Sequence, residues 1–278
     1  MSWAASRLPL AIAIAMFAAG YIALCAWVYA SQRSLIYFPQ FTRVDPRETD
    51  FELRRDGVPL RGWVVNPGRT SALIYFGGNA ERIERGRDGF AAWFPDRSVY
   101  LVAYRGYGAS GGEPREADLF ADAVAVFDHV RSRHRGSIAV VGRSLGAGVA
   151  SYLASQRPVA RLALVTPFDS MAGVAATHHP WLPLRWLIRD RYESTRHLAG
   201  YPGPVLVVRA GRDTVIPRAS TDRLLRSLPK APTLVVLPAA DHNTLDGDPG
   251  YREALAGFLD GDTATTPDQA RSPPVLPR

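Results

Sequence analysis

The sequence predicts an α/β architecture, a mostly parallel central sheet with helices on both faces, preceded by one membrane-spanning helix. Three observations lead there. Short apolar runs alternate with helical patterns along most of the 278 residues, as strand–helix–strand units do. Several of the runs are apolar throughout, as expected of strands covered on both faces. Near the N-terminus, the 23 residues Leu8 to Ala30 carry no charge.

That uncharged stretch defines the first segment, an anchor over residues 1–34 with 8–30 spanning. As a helix it extends about 35 Å, enough for a bilayer core of about 30 Å. Pro9 sits where a helix start tolerates it, and Trp27 and Tyr29 sit at the far end, where amphipathic rings favour the interface. A cleaved signal peptide competes, since Val28-Tyr29-Ala30 resembles a cleavage site, but the run is long for one. A lipoprotein signal ending at Cys25 is disfavoured by the bulky Leu24 before it. Arg7 precedes the stretch; Arg33, Arg43 and Arg47 follow it. This count points the large domain toward the cytoplasm, yet long domains translocate despite such charges, so the side stays open.

Residues 35–261 are long enough for one large domain with a buried core. Its expected strands are Phe51–Arg55, Gly62–Asn66, Ala72–Phe76, Val99–Tyr104, Ile138–Val141, Leu162–Thr166, Val205–Arg209 and Thr233–Leu237. Helical spacing falls between them at Ala80–Phe94, Ala117–Arg133, Leu145–Ser155, Arg218–Ser227 and Tyr251–Leu259. Residues 169–200 break the rhythm. They hold His178, His179, Trp181 and Trp186 among several leucines and read as an insertion capping a pocket. Residues 262–278, rich in Thr, Pro and Ala, have little to bury and read as a disordered tail.

The net charge of +7 rests on 33 basic residues; only Lys230 is lysine, leaving 32 arginines. They are scattered and often lie beside acids, as in Glu81-Arg82-Ile83-Glu84-Arg85. No dense cluster, aromatic–basic interleaving or recognition helix accompanies them, so no nucleic-acid partner is read. The single cysteine, Cys25, cannot form an internal disulfide and lies in an apolar run with no histidine near it.

The chemistry centres on Gly142-Arg143-Ser144-Leu145-Gly146, a G-x-S-x-G pentapeptide between the apolar run Ile138–Val141 and a small-residue helix. Such a serine sits on a sharp strand-to-helix turn, and the helix N-terminus favours developing negative charge. A serine alone is a weak nucleophile and needs a base and an acid. His242, in "LPAADHNTL", is the candidate base, and Asp213, in "VLVVRAGRDTVIP", the candidate acid. Each follows an apolar run by a few residues. Asp169, after "LALVTPF", is the fallback acid. His129 and His134 precede the serine on a helix and read as surface or partly buried residues. Two backbone donors are needed for the oxyanion: the N–H of Leu145, next to the serine, and the N–H of Asn79 in "LIYFGGNAE". A turn residue capping the following helix is the plain alternative for Asn79. No metal or organic cofactor is implied: no His/Cys/Asp cluster has ligand spacing, and "GASGG" at 108–112 lacks the Lys-Ser/Thr of a phosphate loop.

Taken together, "YFGGNA", "YRGYGASGGEP", "GRSLGAGVA", "TPFDSM", "HHPWLPLRWLIRDRY", "GRDTVIP" and "DHN" make the chain resemble the membrane-anchored α/β-hydrolase family called Bem46-like. They cover most of residues 35–245, and their order and spacing are more specific than any one of them. The resemblance implies the α/β-hydrolase fold, Ser144 as nucleophile, Asp213 as acid, His242 as base, and an N-terminal anchor. One departure is visible: many α/β-hydrolases carry His-Gly at the oxyanion loop, where this chain has Gly77-Gly78. The expected activity is hydrolysis of a carboxylic ester or thioester, on a small-molecule or lipid-like acyl substrate. A peptidase or amidase of the same fold is the alternative, favoured by an acidic pocket for a substrate amine. A catalytically idle, membrane-tethered scaffold is the non-enzymatic one.

Overall fold

The computed structural model describes residues 7–261; the expected tail 262–278 lies outside them. The strands are β1 (Phe51–Arg55), β2 (Val58–Val65), β3 (Ser71–Phe76), β4 (Arg97–Val102), β5 (Ile138–Arg143), β6 (Arg161–Val165), β7 (Val205–Ala210) and β8 (Thr233–Leu237). They form one sheet in the order β1-β2-β4-β3-β5-β6-β7-β8. β1 and β2 pair antiparallel, as do β2 and β4; every other pair is parallel. Burial follows the sequence patterns. β5 and β7 are buried at every position, whereas the outermost strand β1 alternates, Phe51 in and Glu52 out. The chain is an α/β-hydrolase fold.

The strand order reverses at the centre: from β3 the chain crosses one way to β4, then back to β5 on the other side of β3. The loops after β3 and β5 therefore leave in opposite directions and open a crevice at the carboxyl edge, where ligands bind in such sheets.

Helices α2 (Arg87–Trp93), α3 (Glu116–Arg133), α4 (Leu145–Gln156), α5 (Met171–His178), α6 (Leu184–Leu187), α7 (Ser194–Leu198), α8 (Arg218–Ser227) and α9 (Pro249–Asp260) follow the strands. The one helix predicted over Ala80–Phe94 is instead a turn, a short 3-10 segment at Ile83–Gly86, and α2. Ala80 adopts φ 60°, which no helix accommodates. The Glu81 carboxylate turns back onto the Gly78 N–H.

The N-terminal helix α1 (Arg7–Ile36) is long and apolar enough to cross a membrane. Its 30 residues extend about 45 Å. Leu10, Ile12, Ile14, Met16 and Phe17 stand exposed. The second half is held by the insertion: Val28 is buried with Ala172, Leu182, Leu184 and Ile188, and Tyr21, Leu24 and Cys25 pack against them. A polar clasp follows. Gln32 Oε1 accepts from the Arg189 N–H at 2.6 Å, and the Tyr37 hydroxyl donates to Asp190 at 2.9 Å and lies 2.8 Å from the Tyr192 hydroxyl. Tyr37, Gln32, Asp190 and Tyr192 are all buried.

Candidate active site

The turn at Ser144 is shaped by close packing. Ser144 takes φ 50° and ψ −114° between β5 and α4, a conformation L-residues rarely adopt and one that marks functional turns. Gly146 has no alternative: a Cβ there would collide with the carbonyl oxygens of Phe76 and Gly77. The first turn of α4 is thereby pressed against the end of β3, which brings the loop after β3 beside Ser144.

Asp213 leaves the end of β7 and His242 lies past β8, both at the same edge of the sheet as Ser144. His242 Nδ1 lies 2.9 Å from Asp213 Oδ2, and His242 Nε2 lies 3.0 Å from Ser144 Oγ. The second carboxylate oxygen of Asp213 accepts the N–H groups of Val215 at 2.9 Å and Ile216 at 2.8 Å. With Asp213 so fixed, the ring hydrogen belongs on Nδ1 and Nε2 faces the serine as an acceptor. The three residues predicted from chain order are thus brought together. The fallback acid is elsewhere: Asp169 accepts from Ser220 at 2.5 Å and from Arg223 at 2.6 Å, tying the start of the insertion to α8.

Leu145 is the first residue of α4, directly after Ser144. Asn79 follows β3 and, with Ser144 and His242, lines the same cavity. Its side chain does not cap the next helix. Nδ2 donates to the Ile36 carbonyl at 2.5 Å, and Oδ1 accepts from the Phe38 N–H at 3.2 Å and the Tyr107 hydroxyl at 2.7 Å. Gly77 is fixed from two sides: Tyr104 donates to its carbonyl at 2.7 Å, and a Cβ on it would lie 2.5 Å from Ile83 Cγ2. A histidine there has no room, so the departure noted in the sequence belongs to this loop's own packing. Support comes instead from Glu81, which accepts from the Gly78 N–H at 2.5 Å and the Tyr75 hydroxyl at 2.7 Å.

Arg143 is a site residue that sequence reasoning passed over, although it stands inside the pentapeptide. Its guanidinium pairs with Asp246 at 2.9 Å and Glu81 at 3.7 Å and donates to the His242 carbonyl at 3.3 Å. It links the base-bearing loop to the loop carrying Asn79. Its variable position in G-x-S-x-G carries no signal of that role.

The cavity beside Ser144 has a volume of about 630 Å³. Phe41, Phe90, Trp93 and Tyr251 form aromatic parts of its lining; Arg82 and Arg85 add positive charge. No residue of 169–200 lines it. Part of that segment, expected as a cap, packs against α1 through Ala172, Leu182, Leu184 and Ile188.

A family model described as serine aminopeptidase, S33, matches residues 70–201. The chain is 38% identical to protein Rv2307c of Mycobacterium tuberculosis over 86% of this chain and 90% of the relative. It is 27% identical to protein bem46 of Schizosaccharomyces pombe, over 92% and 93% of the two. The chain belongs to the Bem46-like α/β hydrolases. Among solved structures, the Pyrococcus furiosus esterase Pf2001 superposes with a TM-score of 0.63 at 18% identity, covering 78% of this chain and 95% of that one. This last likeness is one of fold. Together they make the chain an α/β hydrolase.

Proposed function

We propose that this Bem46-like hydrolase cleaves a carboxylic ester or thioester by way of a covalent acyl-enzyme, with α1 holding it in a membrane as a single-pass anchor. The observation that carries the reading is the unbroken chain Asp213–His242–Ser144, at 2.9 and 3.0 Å, beside an open cavity.

In this reading His242 Nε2 takes the Ser144 proton as Oγ attacks the substrate carbonyl. Asp213 holds the ring and stabilises its charged form. The oxyanion is met by the N–H groups of Leu145 and Asn79. Collapse expels the alcohol or thiol, which leaves with the proton from His242. Water, deprotonated by the same ring, then releases the acid and restores Ser144.

A peptidase reading has one point in its favour, the aminopeptidase description of the matching family model. The cavity's chemistry favours the ester. An aminopeptidase needs a free acid for the substrate amine, but Glu81 and Asp246 are both paired with Arg143. Among the described residues no other acid lines the cavity, whose remaining charged residues are Arg82, Arg85 and Arg143.

Labelling by a fluorophosphonate in detergent tests the reading. Wild type takes the probe, and Ser144→Ala and His242→Ala do not. Wild type not exposed to the probe hydrolyses p-nitrophenyl esters or acyl thioesters faster than aminoacyl p-nitroanilides. Labelling that survives Ser144→Ala overturns the site; preference for the anilides overturns the substrate class.

A further inference from the structure

The insertion leaves two large aromatic side chains in the open. Trp186 is 86% exposed and Trp181 is 58% exposed, on the segment 179–188 that packs along α1. Exposed apolar groups that cluster in this way mark contact with something else. We infer that segment 179–188 enters the lipid leaflet beside α1 and seats the domain on the bilayer. This rests on the reading of α1 as a membrane anchor.

Depth is the first argument. The Tyr21 hydroxyl donates to the Trp181 carbonyl at 2.7 Å. Residues 8–32, between Arg7 and Arg33, are uncharged. A hydrocarbon core needs about 20 helical residues, so any core placed there ends at or beyond about Trp27. Tyr21 then lies at least about 9 Å inside the boundary at 1.5 Å per residue. The backbone bonded to it lies at a similar depth.

The second argument is the backbone of the segment itself. Inside lipid every peptide group must be satisfied without water. Pro180 and Pro183 have no N–H to satisfy. Leu182, Trp186, Leu187 and Ile188 donate within the segment, to His179, Pro183, Pro183 and Leu184. The carbonyls of Trp181 and Leu187 accept from side chains of α1, Tyr21 and Gln32. Most of the segment's N–H groups are closed in this way, those of Trp181 and Arg185 excepted.

Charge is the third. Arg185 is exposed on this segment and Arg189 directly after it, and the Arg189 guanidinium stands 4.8 Å over the Tyr29 ring. Long basic side chains beside interfacial aromatics reach up to anionic headgroups.

The test uses the full chain with Cys25→Ser, which removes the single cysteine. Cysteines placed at Ile14, Trp186 or Arg252, one per protein, carry an environment-sensitive fluorophore. Each protein is reconstituted in vesicles of phosphatidylcholine and phosphatidylglycerol, with and without bromine on the acyl chains. The expected result is blue-shifted emission that bromine quenches at 14 and at 186, with emission at 252 unchanged. Quenching at 14 without quenching at 186 overturns the inference and leaves the anchor standing. An unquenched probe at 14 overturns the anchor and the inference together. Emission at 186 that responds to protein concentration and not to bromine overturns the inference in favour of contact between copies. Trp181→Cys repeats the measurement should Trp186→Cys fold poorly.

Discussion

Asn79, on the loop that faces Ser144, is bonded through its side chain to the carbonyl of Ile36, the last residue of α1, at 2.5 Å. The end of α1 and the proposed oxyanion donor are therefore tied together. Asn79→Ala keeps the backbone N–H but removes the bonds to Ile36, Phe38 and Tyr107. Each such bond contributes about 1 kcal/mol, so a drop in kcat of about tenfold is expected. KM should move less, because the change falls on transition-state geometry. Steady-state kinetics with a short-chain ester check this; an unchanged kcat would mean that the loop holds itself.

Asp213→Asn should leave the fold intact and lower kcat by about ten-thousand-fold, by turning the ring of His242 to the wrong tautomer. Binding of substrate should survive. The check is kcat and KM on variants whose thermal unfolding matches wild type.

Asp169→Asn should do the reverse. This buried carboxylate accepts from Ser220 and Arg223 and takes no part at His242. Stability should fall by about 2–3 kcal/mol, as expected when a charged hydrogen-bond acceptor is lost. The folded fraction should keep its kcat, read by activity after correction for unfolding in denaturant.

Gly146→Val should be severe. Its side chain would be driven into the carbonyls of Phe76 and Gly77, costing about 3 kcal/mol or more. Loss of the cooperative unfolding transition, or a large fall in its midpoint, is the expected reading.

Acid should loosen the α3–α4–α7 contact. His197 packs edge-on against Phe120 and Tyr152, and burial, then the charge of Arg196, holds its pKa below the ordinary histidine value. A depressed folded pKa stabilises the protein above the ordinary value near 6.5 and loses that contribution as pH falls through the folded one. The thermal midpoint should drop between about pH 7 and pH 5, and His197→Phe should flatten part of that drop.

Several strands were legible because their apolar runs are continuous. The triad was legible because three short motifs follow three such runs in order. What the sequence could not show is what depends on long-range partners. Arg143 looks like an arbitrary residue between Gly142 and Ser144, and its meaning comes from Asp246 and Glu81 across the site. Likewise, Ala80–Phe94 has helical spacing, but the Glu81 carboxylate is captured by Gly78 before a helix can start. The insertion's leucines announce burial without naming the surface that buries them, and α1 supplies it.

Gln32, Tyr37, Asp190 and Tyr192 leave no slack between anchor and domain. A domain on a flexible stalk sweeps a volume whose radius grows with the stalk's length. With α1 across a bilayer, this one keeps Ser144 at a single height and a single angle. Its reach is then set by what can be brought to that height, which favours molecules held in or on the same membrane over those free in bulk solvent.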